Sequence, residues 1–228
     1  MSRLVVQEIL CPNCGAPIHA SVYQTVNVTV DPSLKEAVLS RRINLTFCQR
    51  CKREVIVATD LLYHDMRKKF MVWLRMNEGQ ELGDGTIPEL NMLKGAFDSY
   101  RLRLTNGWID FIERIRILDA ELNEGTVEIL KFAFWIKVSG KADCRDNPQG
   151  LQFGGVEQAS GCPDALRFEY HAGPQPVKVL CPRSKYEDVE ASFRNVGLLP
   201  PNGLWSPMDY KYVREKCEEI DRERSQRR

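Results

Sequence analysis

Four of the eight cysteines fall in two Cys-x-x-Cys pairs, CPNCG at residues 11–15 and FCQRCK at 47–52. Two such pairs could form a metal clasp, a redox dithiol or the staples of a disulfide-bonded domain. Tetrahedral coordination by thiolates needs sulfurs about 3.7 Å apart, and a Cys-x-x-Cys turn presents two of them. Pro12 pre-sets the first turn, and Gly15 lets backbone N–H groups approach the sulfur without a Cβ clash. Lys52 stands where the first pair has its glycine, so FCQRCK is a weaker copy. Two knuckles at the ends of a strand-rich insert describe a zinc ribbon with Cys11, Cys14, Cys48 and Cys51 as ligands.

A thioredoxin-like dithiol uses one pair at a helix start, and neither pair here opens a clear helix. An iron–tetrathiolate electron-transfer site has the same ligands and spacing, although zinc is the commoner occupant. Four cysteines close the coordination sphere and leave no position for water or substrate. The metal is therefore expected to hold a fold rather than to catalyse. In zinc-finger peptides such binding contributes about 10–16 kcal/mol, so the first module should not fold without metal.

Other residues carry weaker signals. In Tyr63-His64-Asp65 a carboxylate beside an imidazole could orient the ring or raise its pKa; the plainer reading is a turn capped by Asp65. An enzyme using His64 and Asp65 is the least favoured of the function classes. His19 could support the first knuckle or simply sit on a surface strand, and His171 lies in a Gly/Pro turn. Cys144, Cys162, Cys181 and Cys217 lack paired spacing and read as isolated thiols. No Gly-x-Ser-x-Gly elbow, phosphate loop or dinucleotide fingerprint occurs, and Phe153-Gly154-Gly155 reads as a turn. A nucleic-acid contact would draw on Arg41, Arg42, Lys52, Arg53, Arg67, Lys68 and Lys69, with Tyr63 and Phe70 as stacking groups.

These residues need elements to position them. SVYQTVNVTV (residues 21–30) alternates apolar and polar positions as a half-buried strand does. Asp31-Pro32-Ser33 opens a short helix, LKEAVLS. The VIVA core of REVIVATDLLY reads as a strand, and KKFMVWLRM (residues 68–76) as another. Residues 77–87, with three glycines, read as a linker. YRLRLTN (residues 100–106) is strand-like, and Asn106 can cap a helix carrying Trp108, Phe111, Ile112, Ile115 and Leu118. A second helix is expected from Asn123. After Gly140 come short strands, a helix opened by a Ser184–Glu187 capping box, and a last charged helix begun by Ser206-Pro207. That helix carries Tyr210, Val213, Cys217 and Ile220 on one side.

The first part of this pattern resembles the CpXC family, named for its Cys-Pro-x-Cys-type motifs. The residues that carry the resemblance are CPNCG, NVTVDPSLKEAVLS, CQRC and LLYHDMRKKFMVWL, over about residues 8–76. YRLRLTNGWIDFIERIRILDAELNEGTVEILK is similar to the region that often follows. Gln49 replaces the proline of the second motif and leaves the ligands intact. The resemblance implies a zinc-binding module in a prokaryotic protein and supplies no reaction.

The bulk numbers fit that picture. The chain has 228 residues, a formal net charge of +1 and 28% charged residues. Near-neutrality argues against bulk attraction to nucleic acid or acidic membranes. Residues 1–77 carry 11 Lys/Arg against 6 Asp/Glu, and residues 78–135 carry 6 against 11. The two segments could dock on each other. MSRLVVQEIL is a poor signal peptide and no 18-residue apolar run exists, so no membrane span is expected and the reading places the protein in the cytoplasm.

The sequence thus predicts an α+β protein: a CpXC-like zinc-ribbon module (1–77), a helical then β-rich domain (78–195), and a Pro-rich break with a charged helix (196–228). The favoured function is a non-enzymatic, zinc-stabilised binding or adaptor protein with a protein partner. The alternative is a nucleic-acid-binding zinc ribbon.

Overall fold

The computed structural model describes residues 1–76, 95, 97–139, 150–159, 162–170 and 176–226. The linker read at 77–87, Cys144, His171 and the Cys162 side chain lie outside what is described. Among the described residues are five helices and three sheets, an α+β fold. The chain divides into two compact units, Met1–Ile112 with Asn202–Trp205, and Glu113–Pro201 with Ser206–Arg228.

The first unit is built on a six-stranded sheet, in the order β1 (Arg3–Leu10), β2 (Pro17–Asn27), β5 (Leu61–Asp65), β6 (Phe70–Arg75), β7 (Arg101–Asn106) and β11 (Trp205–Pro207). The pairs β1–β2 and β5–β6 are antiparallel, whereas β2–β5 and β6–β7 are parallel. The apolar residues of Met1–Leu10 thus form an edge strand. The strand expected at 21–30 begins earlier, at Pro17, and ends at Asn27. There the Asn27 carbonyl accepts the Asp31 N–H at 2.8 Å and its side chain accepts the Thr29 N–H at 3.1 Å. A polar turn outcompetes the alternation of Val28 and Val30.

Helix α1 (Leu34–Leu39) buries Val38 and stops at Arg41, whose φ of 56° breaks the turn. The expected VIVA strand is two pieces. Glu54–Ile56 is β4, paired antiparallel with β3 (Leu45–Phe47), and Leu61 then opens β5 in the large sheet. Asn106 belongs to the strand, ending β7 opposite Arg75. Gly107, at φ 109°, instead lies before helix α2 (Trp108–Asp119), its carbonyl accepting the Phe111 N–H.

The second unit packs the end of α2, α3 (Glu124–Ser139), α4 (Arg183–Phe193) and α5 (Tyr210–Gln226) with a three-stranded antiparallel sheet. That sheet has β9 (Cys162–Tyr170) between β10 (Val177–Cys181) and β8 (Leu151–Ala159). Phe153 and Phe168 from the sheet meet Val127, Leu130 and Trp135 from α3 in one core, with Cys181 and Tyr186. Phe153-Gly154-Gly155 is therefore no turn. It lies inside β8 at a register shift, where Gly155 takes φ 133° and makes a bulge. Asn123 starts α3 as the sequence predicts, its side chain accepting the Thr126 N–H at 3.1 Å. The Ser184–Glu187 capping box does not form: α4 begins at Arg183 behind Pro182 with no side-chain cap. Asp209, not Ser206, caps α5, accepting the Tyr212 N–H at 2.8 Å. Val213 is buried and Cys217 partly buried against Leu198 and Met208 within this unit.

Five charged side chains among the described residues lie inside this second unit: Glu113, Arg114, Glu124, Glu128 and Lys131, none more than 7% exposed. Arg114 pairs with Glu124 at 3.3 Å and Glu128 at 2.9 Å, and donates to the Met208 carbonyl. Lys131 pairs with Glu113 at 2.8 Å and Glu128 at 3.2 Å. Glu113 also accepts the Phe153 N–H. No described helix is long and apolar enough to cross a membrane.

Candidate metal centre

The two knuckles are built alike. After β1, Cys11 donates its N–H to the Ala16 carbonyl (2.8 Å), and the Gly15 N–H returns to the Cys11 carbonyl (2.9 Å). In the loop between β3 and β4, Cys48 N–H meets the Arg53 carbonyl (2.9 Å) and Lys52 N–H meets the Cys48 carbonyl (2.9 Å). Each closing residue has a positive φ, 67° at Gly15 and 58° at Lys52. Such turns leave backbone N–H groups free to point at sulfur.

The two turns face each other. Cys11 Sγ lies 3.7 Å from Cys51 Sγ, and Cys14 Sγ lies 3.6 Å from Cys48 Sγ. All four sulfurs are within 4.8 Å of one another. A disulfide would bring a pair to about 2.05 Å, and none of the four is bridged. A tetrahedron with bonds of about 2.3 Å has edges of about 3.8 Å, close to what these pairs show. Cys11 and Cys48 are buried, with Ala16, Ile18 and Val55 around them. The cluster could hold a metal ion.

The electrostatics agree. Burial works against the Cys51 thiolate, but the Asn13 side chain, the Arg53 backbone and the neighbouring sulfurs favour it more and bring the thiol down to about 6. Cys48 is also lowered, chiefly by the Cys51 backbone. At Cys14 the Ala16 backbone favours the thiolate, yet burial and the three neighbouring sulfurs outweigh it and push the thiol up to about 11. Four thiolates this close repel one another strongly, and only a bound cation lets all four ionise together.

A family model described as CpXC protein matches residues 9–131. The chain belongs to the CpXC family. The match runs from the residue pair before Cys11 to Lys131 in α3, and so takes in the 100–131 segment as well as the Cys-x-x-Cys motifs. No curated protein and no solved structure matches the chain.

The other candidate residues are distributed around this CpXC fold. Asp65 sits at the end of β5, and its carboxylate accepts the Arg67 and Lys68 N–H groups at 2.9 and 3.0 Å. It caps the β5–β6 turn. His64 and Asp65 are neighbours on a strand and project to opposite faces of the sheet, so the carboxylate does not orient the imidazole. The His64 ring lies against Tyr100 and Phe97, with centroids 5.6 and 6.5 Å away. Burial, and behind it the positive N-terminus, holds its pKa below the usual value against the pull of Asp65.

Tyr63 and Phe70 are fully buried and stack on each other at 5.8 Å, so neither face is open to a base. The basic residues separate into two groups. Lys52 and Arg53 lie in the second knuckle, and Arg41 and Arg42 precede β3. Arg67, Lys68 and Lys69 form the β5–β6 turn, at the Asn27 end of β2. The knuckle joining β1 to β2 is at its Pro17 end. Those ends are ten residues apart, about 33 Å. Asn13 and Arg50 join the knuckle surroundings without any prior sequence signal beyond their place inside the Cys-x-x-Cys loops.

Proposed function

We propose that this CpXC protein is a non-enzymatic binding module whose N-terminal unit is held together by one structural zinc ion. The carrying observation is the closed ring of four cysteine sulfurs, which offers four soft donors and, among the described residues, no further ligating side chain. Cys11, Cys14, Cys48 and Cys51 would be the ligands. Zinc suits a tetrahedral tetrathiolate and adds no redox chemistry, which matches a scaffold. The imidazole nearest to a catalytic role, His64, is packed in an aromatic cluster, and its Nε2 has no hydrogen-bond partner among the described residues.

The direct test is elemental analysis of the purified chain beside a Cys48→Ser variant. One zinc per chain, lost in the variant together with the thermal stability of the first unit, supports the reading. Iron would make the centre an electron-transfer site instead. Absence of metal with an intact fold would overturn it. For the binding role, the zinc-loaded chain should retain a protein partner at moderate salt.

Nucleic acid is the second reading, and the exposed cations of the second knuckle are what favours it. It predicts a mobility shift that weakens steeply with salt. Charge reversal at Lys52 and Arg53 would abolish that shift.

A further inference from the structure

The hairpin of β3 and β4 has two unlike faces. Val55 points inward, buried against the cysteine cluster. On the other face Leu45 is paired with Ile56, and Phe47 with Glu54. Leu45, Phe47 and Ile56 are 37%, 43% and 55% exposed, side by side on a two-stranded ribbon. Three large apolar side chains thus share one small, partly exposed surface.

Cations stand at both ends of that ribbon. Arg41 and Arg42 lead into β3, and Arg50, Lys52 and Arg53 occupy the knuckle loop that joins β3 to β4. All five are exposed, and none has an ion-pair partner among the described residues. Elsewhere the pattern differs: Lys211, Arg214 and Lys216 on α5 each pair with a glutamate one turn away. The hairpin carries an apolar centre with an uncompensated basic rim.

We propose that this hairpin face docks an extended, acidic segment of a partner protein, one that carries large apolar side chains between its carboxylates. Leu45, Phe47 and Ile56 would take the apolar side chains, and the five cations would take the carboxylates. Charge complementarity selects this occupant. A second copy of the chain would set like-charged rims against each other. Nucleic acid would offer no apolar side chains to Leu45 and Ile56 and would find only the single exposed ring of Phe47 to stack on. The metal cluster beneath fixes the ribbon, so the face is presented preformed and little ordering entropy opposes docking. This surface rests on the binding-module reading and adds to it the place and chemistry of the contact.

The test is selection of a random twelve-residue peptide display library on the full, metal-loaded chain. Enriched sequences are then synthesised and measured by fluorescence anisotropy. Acidic, apolar-containing sequences should emerge and should bind at least ten-fold more weakly to a Phe47→Ser/Ile56→Ser variant and to an Arg41→Glu/Arg42→Glu variant. Metal content should be unchanged in both, which shows the fold intact because all four positions are exposed. Failure to enrich, enrichment without acidic residues, or equal binding by the variants would overturn the proposal. So would displacement of the peptides by a twelve-residue oligothymidine that loses its own binding in the same variants. If the variants still retain the protein partner that the wild-type chain retains, this surface fails while the binding-module reading stands. If the wild-type chain retains no partner at all, the module reading fails as well.

Discussion

Gly15 and Lys52 hold the same place in two like-folded turns. Each donates its N–H to the carbonyl of a cysteine four residues earlier, at 2.9 Å, and each has a left-handed backbone. For glycine this conformation is free. For lysine the Cβ crowds the carbonyl at a cost of about 1–2 kcal/mol. The second knuckle is therefore strained, and the strain is sustained by the closed cysteine cluster.

Lys52→Gly should accordingly stabilise the metal-loaded protein. The strain relieved exceeds the roughly 0.5–1 kcal/mol of extra chain entropy that glycine loses on folding, which leaves a gain of up to about 1 kcal/mol. Gly15→Ala tests the same geometry in reverse. No atom lies within 4 Å of the added Cβ, so a loss of about 1 kcal/mol would report backbone strain alone. Denaturant unfolding with metal in excess reads both values.

Metal removal should act locally. Chelation lets the thiols take up protons and removes the cross-link that a bound ion makes between the two knuckles. Hydrogen exchange at Cys11, Gly15, Cys48 and Lys52 should then accelerate by orders of magnitude. Phe153 and Phe168, in the core of the second unit, should keep their protection. Uniform loss of protection across both units would contradict the local role assigned to the cluster.

Gly125, in the first turn of α3, sets two effects against each other. Alanine there would gain about 1 kcal/mol of helix propensity. Its Cβ would also come within 2.8 Å of the Leu198 Cβ, an atom beside the backbone that cannot swing away. Overpacking of this kind costs about 1–3 kcal/mol. Gly125→Ala should therefore be destabilising by up to about 2 kcal/mol net, and a rise in Tm would show that the Leu198 segment yields.

The cysteine centre was legible because metal chemistry imposes spacing on the sequence itself: two thiols per tight turn, with a glycine or its substitute behind. The alternation of Leu102 and Leu104, and the apolar stripe of Phe111, Ile115 and Leu118, likewise disclosed β7 and α2. Edge strand β1 was not legible, since both of its faces carry apolar residues and only its pairing with β2 makes it a strand. Capping misled at Ser184 and Ser206, because Pro182 and Asp209 reached the helix starts first. Inside β8, Gly154 and Gly155 read as a turn, yet Arg167 donates to the Gly154 carbonyl across the strands at 2.8 Å, and the bulge is accommodated there. The buried charges of α2 and α3 were hidden for another reason. Glu113, Glu128 and Lys131 look like the solvated face of an amphipathic helix until a second charged helix is packed on them.

Those buried charges make the last prediction. Lys131 is the cation nearest to Glu113, and it also pairs with Glu128. Lys131→Met would leave both carboxylates buried with Arg114 the one remaining cation among the described residues to compensate, a loss of about 3–5 kcal/mol at neutral pH. Burial already raises the Glu113 pKa, with Lys131 the main influence holding it down. Removing the lysine raises it further. A carboxyl whose folded pKa exceeds its unfolded value binds its proton more tightly when folded, so its stability contribution is present at low pH. That contribution is lost as pH rises from the ordinary glutamate value, about 4.3, through the raised folded value. The penalty of Lys131→Met should thus be smaller at pH 5 than at pH 8, because a protonated Glu113 no longer needs the cation. Urea unfolding of both proteins at the two pH values measures the difference. A penalty equal at the two pH values would mean that Glu113 stays ionised without the lysine, held by the Phe153 N–H and Arg114.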